Sequence, residues 1–191
     1  MPLNLGGGGG EIRPFIRFKP SINAWEMSAE DGVVEFEWSS PAVFDVENIK
    51  LGWLLLAEGV REWQPWPGNK QTPRPEGDWK QGFICSVFSK SLFKDEPVRE
   101  YSSSSTGNVE FIKKLYNEAE SKFGDGQVPV VKITGNRAER IGKGNTRIPT
   151  FEIVKFVARP AELQSSAIEE EPLTLNTPPK AAPKKAEVEE F

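Results

Sequence analysis

The sequence predicts a mainly β domain with one late helix and a disordered acidic tail, on three observations. Short alternating or apolar runs recur between glycine, proline and Asp-Gly turn signals. A single stretch, residues 108–123, carries apolar residues at helical spacing. Beyond Pro160 no hydrophobic period remains. A chain of 191 residues has room for one such domain once a tail is set aside.

The elements follow in order. Residues 1–10 end in Gly6 to Gly10 and read as a flexible lead-in; no Gly-Lys-Ser/Thr follows to make a phosphate cradle. The domain is expected over 11–160. Glu11 to Lys19 supplies a first strand from Ile12, Phe15, Ile16 and Phe18, with Pro14 marking an edge or a strand start. Asn23 to Met27 and Val33 to Trp38 form a hairpin about Asp31-Gly32, and Val34, Phe36 and Trp38 alternate with Glu35 and Glu37 as a half-buried strand does. Ile49 to Glu58 is the most apolar run and reads as a central strand. Val60 to Trp79 holds four prolines and is expected to be a long irregular loop.

Gly82 to Ser89 and Val98 to Ser103 are strands, the second running into a polar serine loop. The helix can be capped by Asn108, carries Phe111, Ile112, Leu115, Tyr116 and Ala119 at helical spacing, and stops at Gly124 and Gly126. Val128 to Thr134 and Pro149 to Ala158 close the domain, with Phe151, Ile153 and, past an irregularity, Phe156 facing the core. Their connection, Gly135 to Ile148, is expected to be a basic glycine-rich loop. This order fits a five-stranded Greek-key barrel with a helix before its final hairpin, the OB architecture with elaborated loops.

Composition narrows the chemistry. The chain has no histidine, which removes histidine triads, histidine-ligated zinc and imidazole acid-base catalysis. The lone Cys85 sits in an apolar run as a packed small residue, without a disulfide partner, and suits a reducing cytoplasm. No run is long enough to span a membrane, and no export signal is visible. Residues 1–160 balance at 21 basic and 21 acidic side chains, so the net charge of -4 belongs to 161–191. A nucleic-acid partner therefore needs a local basic patch.

Two groups of residues supply one. Trp63, Trp66 and Trp79 lie among prolines, glycines, Lys70 and Arg74, where bases would stack on the rings and phosphates would meet the cations. The alternative for each ring is a loop pinned to the domain by its own tryptophans, whereas Trp38 and Trp53 belong to strands and are expected to pack. Arg137, Arg140, Lys143 and Arg147 oppose Glu139 alone and form an electrostatic arm, which Arg13, Arg17 and Lys19 extend. Finally, 161–191 ends in Glu187, Glu189, Glu190 and Phe191, an acidic aromatic segment suited to docking in a basic-rimmed pocket on another protein.

That ending resembles the C-terminal tails of bacterial and phage single-stranded DNA-binding proteins. From Phe15 to about Leu163 the domain also resembles phage and prophage replication-module proteins related to them. The segments that carry the likeness are Asn48 to Trp53, Gln81 to Phe83, Val98 to Ser103, Val128 to Lys132 and Pro149 to Val154. The resemblance implies an OB fold that coats single-stranded DNA and recruits replication or recombination enzymes through its tail.

The expected function is thus sequence-tolerant single-stranded DNA binding in phage-type replication or recombination, without catalysis, metal or cofactor, and with room for a homodimer. A β-sandwich carbohydrate-binding or virion-structural module, with tryptophans stacked on sugars, is the alternative. A carboxylate-dependent nuclease or hydrolase using Asp45, Glu47 or Asp78 is a third reading that matches no motif spacing.

Overall fold

The computed structural model describes residues 13–57 and 60–168. The glycine run, the start of the first predicted strand and the acidic segment with Glu187, Glu189, Glu190 and Phe191 lie outside the described residues. Ten strands form one curled, open sheet: β1 (Phe15–Lys19), β2 (Ala24–Ala29), β3 (Gly32–Phe36), β4 (Ala42–Phe44), β5 (Lys50–Ala57), β6 (Val60–Pro65), β7 (Lys80–Phe88), β8 (Val98–Ser103), β9 (Gln127–Ile141) and β10 (Gly144–Ala158). The order is β10-β9-β4-β7-β8-β1-β2-β3, with β5 and β6 branching from β7. All pairings are antiparallel except β1 with β8. The mainly β class stands; β4 and β6 add to the eight strands expected, in a sheet larger than a five-stranded barrel.

The branch has a simple cause. A 3-10 turn at Val46–Asn48 bends the chain between β4 and β5. As a result β4 pairs with Val87 and Phe88 of β7, while β5 pairs with Lys80 to Ile84 on the same edge. Arg159, at the end of β10, fixes this corner: its Nη2 donates to Asp45 Oδ1 at 3.1 Å and to Glu47 Oε2 at 2.7 Å. Glu47 Oε1 accepts the Gly124 N–H at 2.8 Å, so the corner, the turn before β9 and the end of β10 are tied together. Two of the three carboxylates considered for catalysis thus make structural bonds. Among the described residues no group of three or more His, Cys, Asp or Glu is placed to hold a metal.

Helix α1 (Thr106–Ala119) lies in the curl and buries Phe111, Ile112, Leu115 and Ala119, the stripe that its spacing predicts. A 3-10 turn at Glu120–Lys122 extends it, and Gly124 and Gly126 follow at φ of 84° and 69°, the left-handed region that ends helices. The cap differs from expectation. Ser105 is the N-cap, and Asn108 stands one turn inside, 1% exposed. There it accepts the Tyr101 hydroxyl at 2.6 Å and donates to the Phe18 carbonyl at 3.1 Å. A buried amide satisfied on both ends joins α1 to β8 and β1.

Aromatic residues dominate the core. Trp25, Phe36, Trp38, Phe44, Phe83, Tyr101 and Phe111 meet at tilted and edge-to-face angles, as ring quadrupoles favour. Val34 faces the same way at the rim, 43% exposed. Cys85 is buried, and burial pushes its thiol well above the ordinary range, which keeps it protonated.

Three further expectations change. Val60–Pro65 is a strand, paired antiparallel with β5 from Val60 opposite Ala57 to Pro65 opposite Gly52. The predicted loop Gly135 to Ile148 is the outer half of a β-ribbon, its ladder running unbroken from Gly144 opposite Ile141 to Thr150 opposite Gly135. The body also continues past Pro160. Helix α2 (Ala161–Ile168) begins there, and Leu163, 1% exposed, packs on Val43 and Val128. No helix among the described residues is long and apolar enough to cross a membrane.

Candidate nucleic-acid interface

Strand register decides which side chains meet. Directly paired residues share a face, so one face of the sheet carries Lys50 with Ile84 and Ser102, Gly52 with Gly82, and Leu54 with both Trp63 and Lys80. Leu51, Trp53, Phe83 and Tyr101 point the other way, Phe83 and Tyr101 into the core that α1 fills and Trp53 into a cluster with Trp66 and Trp79. On the outer face β8 adds Glu100, and β1 adds Phe15, whose register partner is Glu100, followed by Arg17 and Lys19. The face therefore gathers Arg17, Lys19, Lys50, Arg61 and Lys80 around the half-buried rings of Phe15 and Trp63.

The β5–β6 hairpin arches back over this face. Arg61 stands opposite Leu56 on the hairpin, yet its guanidinium bonds Glu100 Oε1 and Ser102 Oγ of β8, the latter at 2.8 Å. Beneath it the Trp63 ring lies on the backbone of Gly52, so close that a β-carbon there would stand 2.7 Å from Cζ2 of the ring and would also strike the Gln64 carbonyl. Glycine is required by this close approach, not by backbone angle. Gly52→Ala is expected to cost about 1–3 kcal/mol of stability by overpacking, read as a lower urea midpoint at unchanged m. An unaltered midpoint would mean that Trp63 is not seated there.

Carboxylates on this face are fewer than cations: Glu26 and Glu100 are engaged by them, while Glu35, opposite Glu26 on β3, makes no ion pair among the described residues. Glu26 is 8% exposed between Arg17, which donates to it at 2.6 Å, and Lys19 at 3.3 Å. Burial works to raise the Glu26 carboxyl, but its bonds to Arg17 and Lys19 outweigh that and hold it below the ordinary value. Lys50 is also lowered, which for a cation disfavours the charged form. Burial first, then the neighbouring Arg13 guanidinium, lower its pKa, while Glu100 raises it. The strain on the Lys50 ammonium would be relieved by an added anion.

The predicted site residues divide. Trp63 lies on the cationic face. Trp66 and Trp79 do not: at 9% and 6% exposed they pack with Trp53 on the opposite side of β5. The loop that carries them is pinned there. Asn69 Nδ2 donates to the Ile49 carbonyl at 2.9 Å, Asn69 Oδ1 accepts the Leu51 N–H at 2.9 Å, and Trp53 Nε1 donates to the Thr72 carbonyl at 3.1 Å. Lys70 and Arg74 are exposed on that loop, apart from Trp63.

The basic arm divides as well. Arg140, opposite Asn145, and Arg147, opposite Ala138, share one face of the β9–β10 ribbon, and Lys143 stands at its turn beside Gly142. Arg137 is on the other face, paired with Glu139 at 2.8 Å beside a cavity of about 160 Å³ against Glu110, Lys114 and Phe151. The base of the ribbon touches the chain that follows β8. A β-carbon on Gly107 would collide with the Arg147 carbonyl and lie 2.9 Å from Thr146 Oγ1. Both hairpins thus border residues 102–107, one through Arg61 and the other through Arg147.

Arg61, Lys50 and Phe15 were not assigned from the sequence. Val60 to Gln64 carries no apolar alternation, since Val60 and Trp63 fall on opposite faces, and with prolines just beyond it the stretch gave no strand signal. Comparison with protein-family models, curated proteins and solved structures gives no match.

Proposed function

We propose that this chain binds single-stranded nucleic acid, single-stranded DNA in the first instance, along the outer face of β5, β7, β8 and β1. The observation that carries the reading is the seating of Trp63 between Lys50 and Arg61 on a cation-rich face. A ring with flanking cations suits a polymer of flat bases and regularly spaced phosphates. A duplex hides its base faces, so the same site discriminates against it.

Connectivity supports the OB architecture. The β4–β5 pair acts as one bent strand, and it, β7, β8, β9 and β10 follow one another with α1 between the third and fourth. Their pairing order, β10-β9-β4/β5-β7-β8, is that of a five-stranded Greek-key barrel before closure. The edge of β8 is taken by β1, which continues into the β2–β3 hairpin. In this architecture oligonucleotides lie on the second and third strands between the first and last hairpins, which correspond to β7, β8, the β5–β6 hairpin and the basic β9–β10 ribbon. Recruitment of replication or recombination enzymes through Glu187, Glu189, Glu190 and Phe191 belongs to the same proposal and rests on sequence.

The test is titration with oligo-dT, followed by intrinsic tryptophan fluorescence. If Lys50, Arg61, Arg140, Lys143 and Arg147 each neutralise one phosphate, log K falls with log salt at a slope of about 3.5, or roughly 100-fold between about 50 and 200 mM. Quenching that weakens on this scale and is absent with duplex of equal length is the expected result. Binding indifferent to salt would reject the phosphate contacts and favour a sugar-stacking face.

A further inference from the structure

The open sheet has a second surface without an assigned role, the free edge of β3. Among the described residues β3 pairs only with β2, in regular register from Ala29 opposite Gly32 to Trp25 opposite Phe36. Every second residue of β3 therefore turns its N–H and C=O away from the sheet. Free edges usually carry a bulge, a proline or a lysine that blocks further pairing. The edge of β10 has two register shifts, Pro149 and Lys155, and that of β6 has Arg61 and Pro65. The β3 edge has none of these devices, and Val33 and Val34 stand 44% and 43% exposed on its two faces.

It carries charge of one sign instead. Glu30, Asp31, Glu35 and Glu37 surround it, no Lys or Arg occurs between Lys19 and Lys50, and among the described residues none of the four carboxylates makes an ion pair. Like charges would oppose pairing with the same edge of a second copy. They leave the edge open to a strand of opposite charge. Past β3 the chain borders a cleft of about 540 Å³, lined by Trp38 to Pro41 on one side and by Lys132 and Glu152 to Val154 on the other, which gives such a strand room to run on.

We propose that the β3 edge accepts an extended cationic segment of another protein as an added strand. Val34 and Phe36 face the core side and Val33 and Glu35 the outer side, so the guest strand alternates: apolar residues cover Val34, and Lys or Arg meets Glu35. Backbone bonds supply affinity, and the alternation supplies selectivity.

The probe is a fluorescein-labelled ten-residue peptide alternating Lys and Val, titrated with the full chain and read by anisotropy. Two comparisons separate strand addition from charge attraction. The same peptide N-methylated at alternate residues keeps its charges but cannot complete the ladder, and is expected to bind at least tenfold more weakly. The Glu35→Gln/Glu37→Gln double variant is expected to lose affinity for the unmodified peptide by a similar factor. No binding, equal binding of the N-methylated peptide, or indifference to the glutamine substitutions would each overturn the proposal. Sedimentation showing a dimer that excludes the peptide would do so too, giving the edge to a second copy. Oligo-dT takes no part in these measurements, so their outcome is independent of the nucleic-acid reading.

Discussion

Replacing Trp63 with alanine is expected to weaken oligo-dT binding by roughly 5- to 150-fold, the range that one stacked base contributes. Trp63→Phe keeps a flat ring on Gly52 and should retain most of the affinity. The same truncation at Trp79 is expected to act in the opposite way. Trp79 is 6% exposed and packs with Trp53 and Trp66, so Trp79→Ala should lower stability by about 3–5 kcal/mol while leaving the affinity of the folded fraction unchanged. A chain in which Trp79→Ala weakens DNA binding and Trp63→Ala does not would exchange the two faces and sink the proposed interface. The Trp63 variants need their own melting curves, because the ring also covers Gly52 and Leu54.

This contrast marks where the sequence was legible. Regular periodicity reported well: the stripe Phe111, Ile112, Leu115 and Ala119 faces the core, and the irregularity foreseen between Ile153 and Phe156 is a register shift at Ile153/Lys155. Periodicity says which side of an element is apolar, and burial follows. Composition reported less. Trp63, Trp66 and Trp79 share a proline-rich neighbourhood, yet one lies on the outer face and two do not. The difference comes from Asn69 and Thr72 reaching across to β5, contacts between residues about twenty positions apart that no local pattern announces.

The basic arm failed for a related reason. Gly135, Gly142 and Gly144 were read as a flexible loop, but Gly135 and Gly144 pair in the ladder with Thr150 and Ile141 while Gly142 makes the tight turn at φ of 62°, and alternation then sends Arg137 away from Arg140 and Arg147. Charge count alone had joined residues that the pleat separates. Arg61 shows the converse. One cation on a misread strand reaches Ser102 and Glu100, forty residues on, and becomes central to the site.

The second large effect concerns stability. Arg159→Ala is expected to cost about 3–5 kcal/mol, because it leaves Asp45, whose side chain is 3% exposed, buried beside no cation. For a domain of this size that is roughly 6–20 °C in Tm. Arg159→Lys should recover only part of the loss, since a single ammonium cannot reproduce the fork that reaches Asp45 and Glu47 together. The pH dependence gives the sharper check. The Gly124 N–H first, and Arg159 after the opposing effect of burial, hold the Glu47 carboxyl below its usual 4.5 in the folded chain. A group depressed on folding stabilises the native state above its unfolded pKa and loses that contribution as pH falls through the folded value. The gap in Tm between the natural chain and Arg159→Ala should therefore be full near neutrality and shrink below about pH 4.5. A gap that stays constant down to pH 3 would mean that the arginine contributes through packing of its stem, with no linkage to Glu47. That result would also loosen the corner between β4 and β5 from its electrostatic anchor, and with it the account of why β7 carries two partners on one edge.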